Sequence, residues 1–112
     1  MRKIAVAGCY LEWDLFGHER SFYNSKIDMP SDAKRIADIS WIGSEGYWDK
    51  IVVAQDICSK DRLIKYGGHG YGYLPSQIVP RMRARGYSDK NVDKVMEHNP
   101  AMALTFVEPK TG

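Results

Sequence analysis

Three side chains stand where their chemistry would count: Asp14, Asp56 and His69. Asp56 closes the string "VVAQD", in which Val52 to Gln55 are uncharged and run straight into a carboxylate. Such a group is costly to bury unless a metal, a cation or a hydrogen-bond network receives it. Asp14 ends "CYLEWD" in the same way. Each aspartate therefore either serves a metal or a reacting group, or caps the turn that follows. His69 lies in "YGGHGYGY", where Gly67, Gly68, Gly70 and Gly72 permit tight turns and close backbone approach above a site. It reads either as a substrate-contacting or proton-transferring residue or as a loop histidine facing solvent.

Other groupings carry less. The glycine-rich string has no GK[ST] and no GxGxxG, so it is not a phosphate loop. His18, His69 and His98 share no ligand spacing and make no complete metal site. Cys9 and Cys58 form no CxxC and read as reduced thiols of a cytoplasmic protein. Arg81, Arg83 and Arg85 fall at a helix end, where cations complement the dipole, and read as a solvated face. Trp13, Trp41 and Trp48 read as packing residues.

The elements that must position these residues follow from periodicity and punctuation. Arg2 to Ala7 resembles a helix end closed by Gly8. Cys9 to Gly17 alternates, with Leu11 and Trp13 on one face, and predicts a strand. Residues 18–29 predict a long loop carrying Phe22 and Tyr23. Pro30 to Gly46 predicts a helix capped by Ser31, with Ile36, Ile39 and Ile42 on its inner face. Lys50 to Ile57 predicts a second strand, its apolar centre suited to cover on both faces. A loop from Cys58 to Gly72 and a helix from Leu74 to Arg85, despite Pro80, come next. A short helix capped by Ser88 follows, with Val92, Val95 and Met96 inward, and then another opening on Asn99 and Pro100. Two β-α units of this kind imply parallel strands joined by a right-handed crossover. In such α/β arrangements, ligands gather at the carboxyl ends of the strands, where Asp14 and Asp56 fall.

The 112 residues, 44% hydrophobic and 27% charged, suit one globular domain and are too few for two. A net charge of +2 does not by itself point to a polyanionic partner. No apolar run has bilayer length, and "MRKIAVAGCY" lacks the pattern of a secretory signal. Neither nucleic acid nor membrane is expected as a partner.

The strings "GCYLEWDLFG", "DMPSDAKRI", "DKIVVAQDICSKDRLIKYGGHGYGYL" and "IVPRMRARG…NPAMAL" together resemble the phosphotriesterase-like branch of the amidohydrolase superfamily. The likeness covers nearly all of the sequence in order, and about the last third of the family's length. It implies an α/β fold, the last two β-α units of a TIM (β/α)8 barrel, with "GCYLEWDL" as its seventh strand and "IVVAQDI" as its eighth. It also implies a pair of divalent metals, usually zinc, whose bridging hydroxide attacks an ester, lactone, amide or phosphoester. By this likeness Asp56 is the metal ligand and proton acceptor; Asp14 and His69, read from their own positions, remain candidate substrate contacts. The loop from Cys58 to Tyr73 would wall the substrate pocket.

The departures from the family pattern are specific. The N-terminal HxH pair, the bridging carboxylate or modified lysine and two further histidines have no counterpart, and are expected upstream of Met1. Gln55 stands where relatives often have histidine; Gly72 and Tyr73 stand where a polar residue and a histidine are common. A barrel needs about 250 residues, so the isolated chain is expected to be inactive. The alternative is a truncated remnant or split-barrel half that acts only by association, with exposed sheet edges open to self-pairing.

Overall fold

In a computed structural model, residues 1–19 and 28–111 are described. The expected loop at 18–29, with Phe22 and Tyr23, lies largely outside the described residues. Two three-residue strands, β1 (Leu11–Trp13) and β2 (Ile51–Val53), pair in parallel with Leu11 opposite Ile51 and Trp13 opposite Val53. The ladder runs on beyond them: Ala54 N–H donates to the Trp13 carbonyl (3.1 Å) and Phe16 N–H to the Ala54 carbonyl (3.2 Å). Both strands are shorter than the alternation predicts, because Leu15 and Asp56 turn into left-handed conformations (φ 63° and 49°). Ile51 is fully buried while Val52 and Val53 are only half-buried. The expectation of a strand covered on both faces is thus met at Ile51 alone.

Helix α1 (Arg2–Val6) leads to Gly8 at φ 88°, as its sequence requires. Helix α2 (Asp32–Ile42) crosses between the strands, with Ser31 Oγ accepting the Lys34 N–H at its start. Ile36, Ile39 and Ile42 are completely buried along its inner stripe, as their spacing predicts. At its end, Gly43 lies against Trp48, whose ring would be 2.4 Å from a Cβ at that position, so only glycine lets the indole in. Trp48 meets Tyr87 edge-on, with centroids 5.2 Å apart, and the Tyr87 hydroxyl donates to the Ile36 carbonyl (2.6 Å). Trp41 departs from the packing reading: it is about half exposed, with the Arg2 guanidinium 6.0 Å from its ring.

Prolines shape the second half. Helix α3 (Val79–Ala84) follows a wide π turn at Leu74–Ile78, and Gly86 ends it at φ 89°. Helices α4 (Asp89–Asp93) and α5 (Asn99–Leu104) are joined by a second π turn at Lys94–His98. In each case the residue before the proline donates five residues back: Val79 to Leu74, and Asn99 to Lys94. The extra residue in the turn makes room for a ring that would otherwise strike the preceding turn.

Asn99 is therefore no helix cap, contrary to the reading from "NP": its backbone is helical (φ −66°, ψ −43°) and its side chain 1% exposed. Its Nδ2 donates instead to the carbonyls of Trp48 and Ile51, both at 2.7 Å, which moors this helix to the start of β2. Among the described residues no helix is long and apolar enough to cross a membrane. The Asn99 mooring gives a direct test. Asn99→Ala leaves two carbonyls without their donor and is expected to cost roughly 2–3 kcal/mol. A urea midpoint equal to that of the unaltered chain would show that the mooring contributes nothing.

Candidate functional site

The loops after β1 and β2 enclose a cleft of about 550 Å³, lined in part by Gly17, His18, Gln55, Arg62, His69 and Tyr73. Its structural centre is Asp32, in the first turn of α2 and 1% exposed. The Asp32 carboxylate accepts the Gly17 N–H (2.9 and 3.2 Å), Arg35 Nη1 (3.1 Å) and the Tyr73 hydroxyl (2.8 Å). Arg81 adds an ion pair at 3.5 Å, so this arginine belongs to the buried network rather than to a solvated face. Arg35, itself 2% exposed, also donates to the His18 carbonyl (3.1 Å). Burial, then the hydrogen bond and charge of Asp32, push the Tyr73 phenol from its ordinary 10.0 up to about 12. Tyr73 therefore keeps its proton and remains a donor across the ordinary pH range.

A second network fixes the loop after β2. Gln55, buried at the strand end, donates from Nε2 to the Gly70 carbonyl (3.0 Å). Gly70 N–H donates to the Arg62 carbonyl (2.9 Å), and Arg62 Nη1 returns to the Gln55 carbonyl (3.4 Å), closing a circuit of three residues. Arg62 Nη1 also donates to the carbonyl of Asp56. Gly68 packs directly on the Arg62 backbone, where a Cβ would be 2.1 Å from the carbonyl carbon. The loop is thus a wall fastened to the end of β2.

The predicted site residues separate. Asp56 lies at the carboxyl end of β2 with an exposed side chain and does not itself line the cleft, although its neighbours Gln55 and Ile57 do. His69 is in the cleft wall, its ring stacked on Tyr73 with centroids 4.2 Å apart. Asp14 is exposed at the end of β1; its Oδ1 accepts the Leu15 N–H (2.6 Å), and it does not line the cleft. Burial first, then the charges of Arg62 and Arg35, lower the His18 pKa. Cys9 and Cys58 are exposed free thiols.

Among the described residues no group of three or more His, Cys, Asp or Glu side chains could hold a metal. The residues described therefore do not fit a complete metal pair. Asp32 and Gln55, the two anchors, went unread as site residues. Asp32 was legible only as a favourable charge at a helix start, although Arg35 one turn later is a spacing that permits an ion pair.

The circuit of Gln55, Gly70 and Arg62 makes the loop's order testable. Gln55→Ala should expose Lys60, Arg62 and Lys65 to trypsin several-fold faster than in the unaltered chain, since local opening governs cleavage. Equal cleavage rates would mean that Gln55 does not fasten the loop.

The phosphotriesterase family profile matches residues 1–104. A phosphotriesterase-related protein of Nematostella vectensis and an N-acetyltaurine hydrolase of Tetraodon nigroviridis are each 51% identical over 106 residues. Those alignments cover 93% of this chain and 30% of each relative, so the chain spans about a third of their length. The crystal structure of a resiniferatoxin-binding protein from Rhodobacter sphaeroides matches with a TM-score of 0.83 and 31% identity, covering 88% of this chain and 27% of that one. On the strength of a match over residues 1–104 of 112, the chain belongs to the phosphotriesterase family.

Proposed function

We propose that this chain supplies the last two β-α units of a phosphotriesterase-type, metal-dependent hydrolase barrel, with Asp56 as its metal ligand. The observation that carries the reading is Asp56 itself: a left-handed residue (φ 49°) at the carboxyl end of one of two parallel strands, beside the cleft. Non-glycine residues in that conformation concentrate where a side chain must be aimed. In a complete site, divalent metals such as zinc would activate water and polarise an ester, lactone, amide or phosphoester. Amide hydrolysis is the first class to test, because a relative 51% identical over 106 residues is an N-acetyltaurine hydrolase. The residues described here contribute one carboxylate and a pocket wall; the other ligands would come from polypeptide outside them. Exposed free Cys9 and Cys58 are compatible with a reducing, cytoplasmic setting.

The test is a chimera. Residues 1–104 replace the matching segment of the Tetraodon nigroviridis enzyme, and N-acetyltaurine hydrolysis and metal content are measured. Hydrolysis should survive in the chimera, and Asp56→Asn should lower it on the order of 100-fold or more with loss of bound metal. Full activity and full metal content in the Asp56→Asn chimera would overturn the assignment. The 112-residue chain alone, supplied with zinc or manganese, should turn over neither a lactone nor an N-acyl amide.

One observation favours a second reading, in which the chain acts by association with a complementary chain or with itself. The sheet has two strands, so each keeps an outer edge without a ladder partner among the described residues. Leu104, Phe106 and Val107 are more than four-fifths exposed. Such edges favour pairing. Size-exclusion chromatography across a concentration series should then show species larger than one chain; a monomer throughout removes self-association.

A further inference from the structure

The stacked pair in the cleft wall is held in an unusual way. The His69 and Tyr73 rings both rest on Gly17, where a Cβ would stand 2.6 Å from His69 Cδ2 and 2.9 Å from Tyr73 Cε1. The same Gly17 donates its N–H to Asp32, and Tyr73 donates its hydroxyl to Asp32. One buried carboxylate therefore fixes both the floor beneath His69 and the ring beside it. The His69 ring is otherwise exposed and faces the cleft.

A residue in the first turn of a helix ordinarily serves that helix, by accepting its free N–H groups. Asp32 does not: Ser31 takes the Lys34 N–H, and the Asp32 carboxylate accepts no backbone N–H of α2. Its partners come from the loop after β1, from the loop after β2 and from α3, with Arg35 alone supplied by its own helix. Among the described residues, partners from four segments meet at Asp32, and two of them, Gly17 and Tyr73, adjoin the exposed His69 imidazole.

We propose that Asp32 is the positioning residue for His69: through Gly17 and Tyr73 it sets the imidazole in the cleft wall, where the ring can hydrogen-bond a polar group of the bound substrate. The substrate half of this inference rests on the hydrolase reading above. The positioning half rests on geometry alone.

The experiment is NMR on the full chain with labelled histidine, the His69 signals being assigned through His69→Gln. In the unaltered chain the His69 ring protons carry a ring-current shift from Tyr73. Gly17→Ala displaces both rings directly and defines the shift of an unseated imidazole. Tyr73→Phe keeps the ring and removes the hydroxyl, and is expected to move the His69 signals most of the way toward their Gly17→Ala positions. Asp32→Asn should do the same and also shift the Gly17 amide, with the Trp48 and Tyr87 signals unchanged as evidence of an intact core. Should Asp32→Asn fail to fold, Tyr73→Phe decides. The positioning role is overturned if the His69 signals of the folded variants coincide with those of the unaltered chain.

In the active chimera, His69→Gln should raise KM for N-acetyltaurine up to about tenfold, the equivalent of one hydrogen bond, with kcat less affected. Shifted NMR signals with an unchanged KM leave Asp32 as the positioning residue and overturn the substrate contact.

Discussion

The buried carboxylate of Asp32 is the interaction on which the site depends. A charge 1% exposed is costly unless every lone pair is met. Here Gly17, Arg35, Tyr73 and Arg81 meet it, and each comes from a different part of the chain. Breaking a buried pair such as Asp32–Arg35 typically costs about 3–5 kcal/mol, because the remaining charge is stranded. That asymmetry gives the network its structural meaning. The loops after both strands cannot move apart without uncovering Asp32, so the cleft walls are fixed relative to one another before any ligand arrives.

A different constraint governs the packing behind the site. Helix α3 and the run from α4 to α5 must both pass a proline while keeping Val79, Met82, Val92 and Val95 buried. The π turns at Leu74–Ile78 and Lys94–His98 solve this by inserting one residue per turn, which also rotates the residues that follow. Asn99, one residue before its proline, is thereby turned inward to reach the carbonyls of Trp48 and Ile51. Those carbonyls mark the start of β2, and β2 ends at the cleft. The proline-driven turn and the functional loop are thus joined through three residues of strand.

Much of this framework was legible in the sequence because periodicity and caps act locally. The isoleucine stripe of α2, the Ser31 and Ser88 caps, and the positive-φ glycines at 8, 46 and 86 need only neighbouring residues to be understood. Asn99 misled because "NP" is a good local cap, and a tertiary mooring to β2 outcompetes it. Trp41 misled because an indole is large enough to pack, yet its place on α2 leaves it half exposed beside Arg2. Asp32 and Gln55 were missed as site residues for a common reason. Their partners lie 15 to 41 residues away for Gly17, Gly70 and Tyr73, a distance at which no spacing rule operates.

The two strand ends carry the remaining argument. Leu15 and Asp56 are the non-glycine residues with positive φ among the described residues, and each follows a parallel strand by two or three positions. For a leucine that conformation costs roughly 1–2 kcal/mol; an aspartate adopts it more readily. Each is held by a contact at the turn: Leu15 N–H to the Asp14 carboxylate, and the Asp56 carbonyl to Arg62. Parallel strands place both turns at the same end of the sheet. Both strained residues thus sit at one end of the sheet, each stabilised by a local contact. At Asp14 the carboxylate is consumed in making its turn. At Asp56 the turn is made by the backbone carbonyl, which leaves the carboxylate outside that contact and turned to solvent, and this difference is why the proposal above rests on Asp56 and not on Asp14.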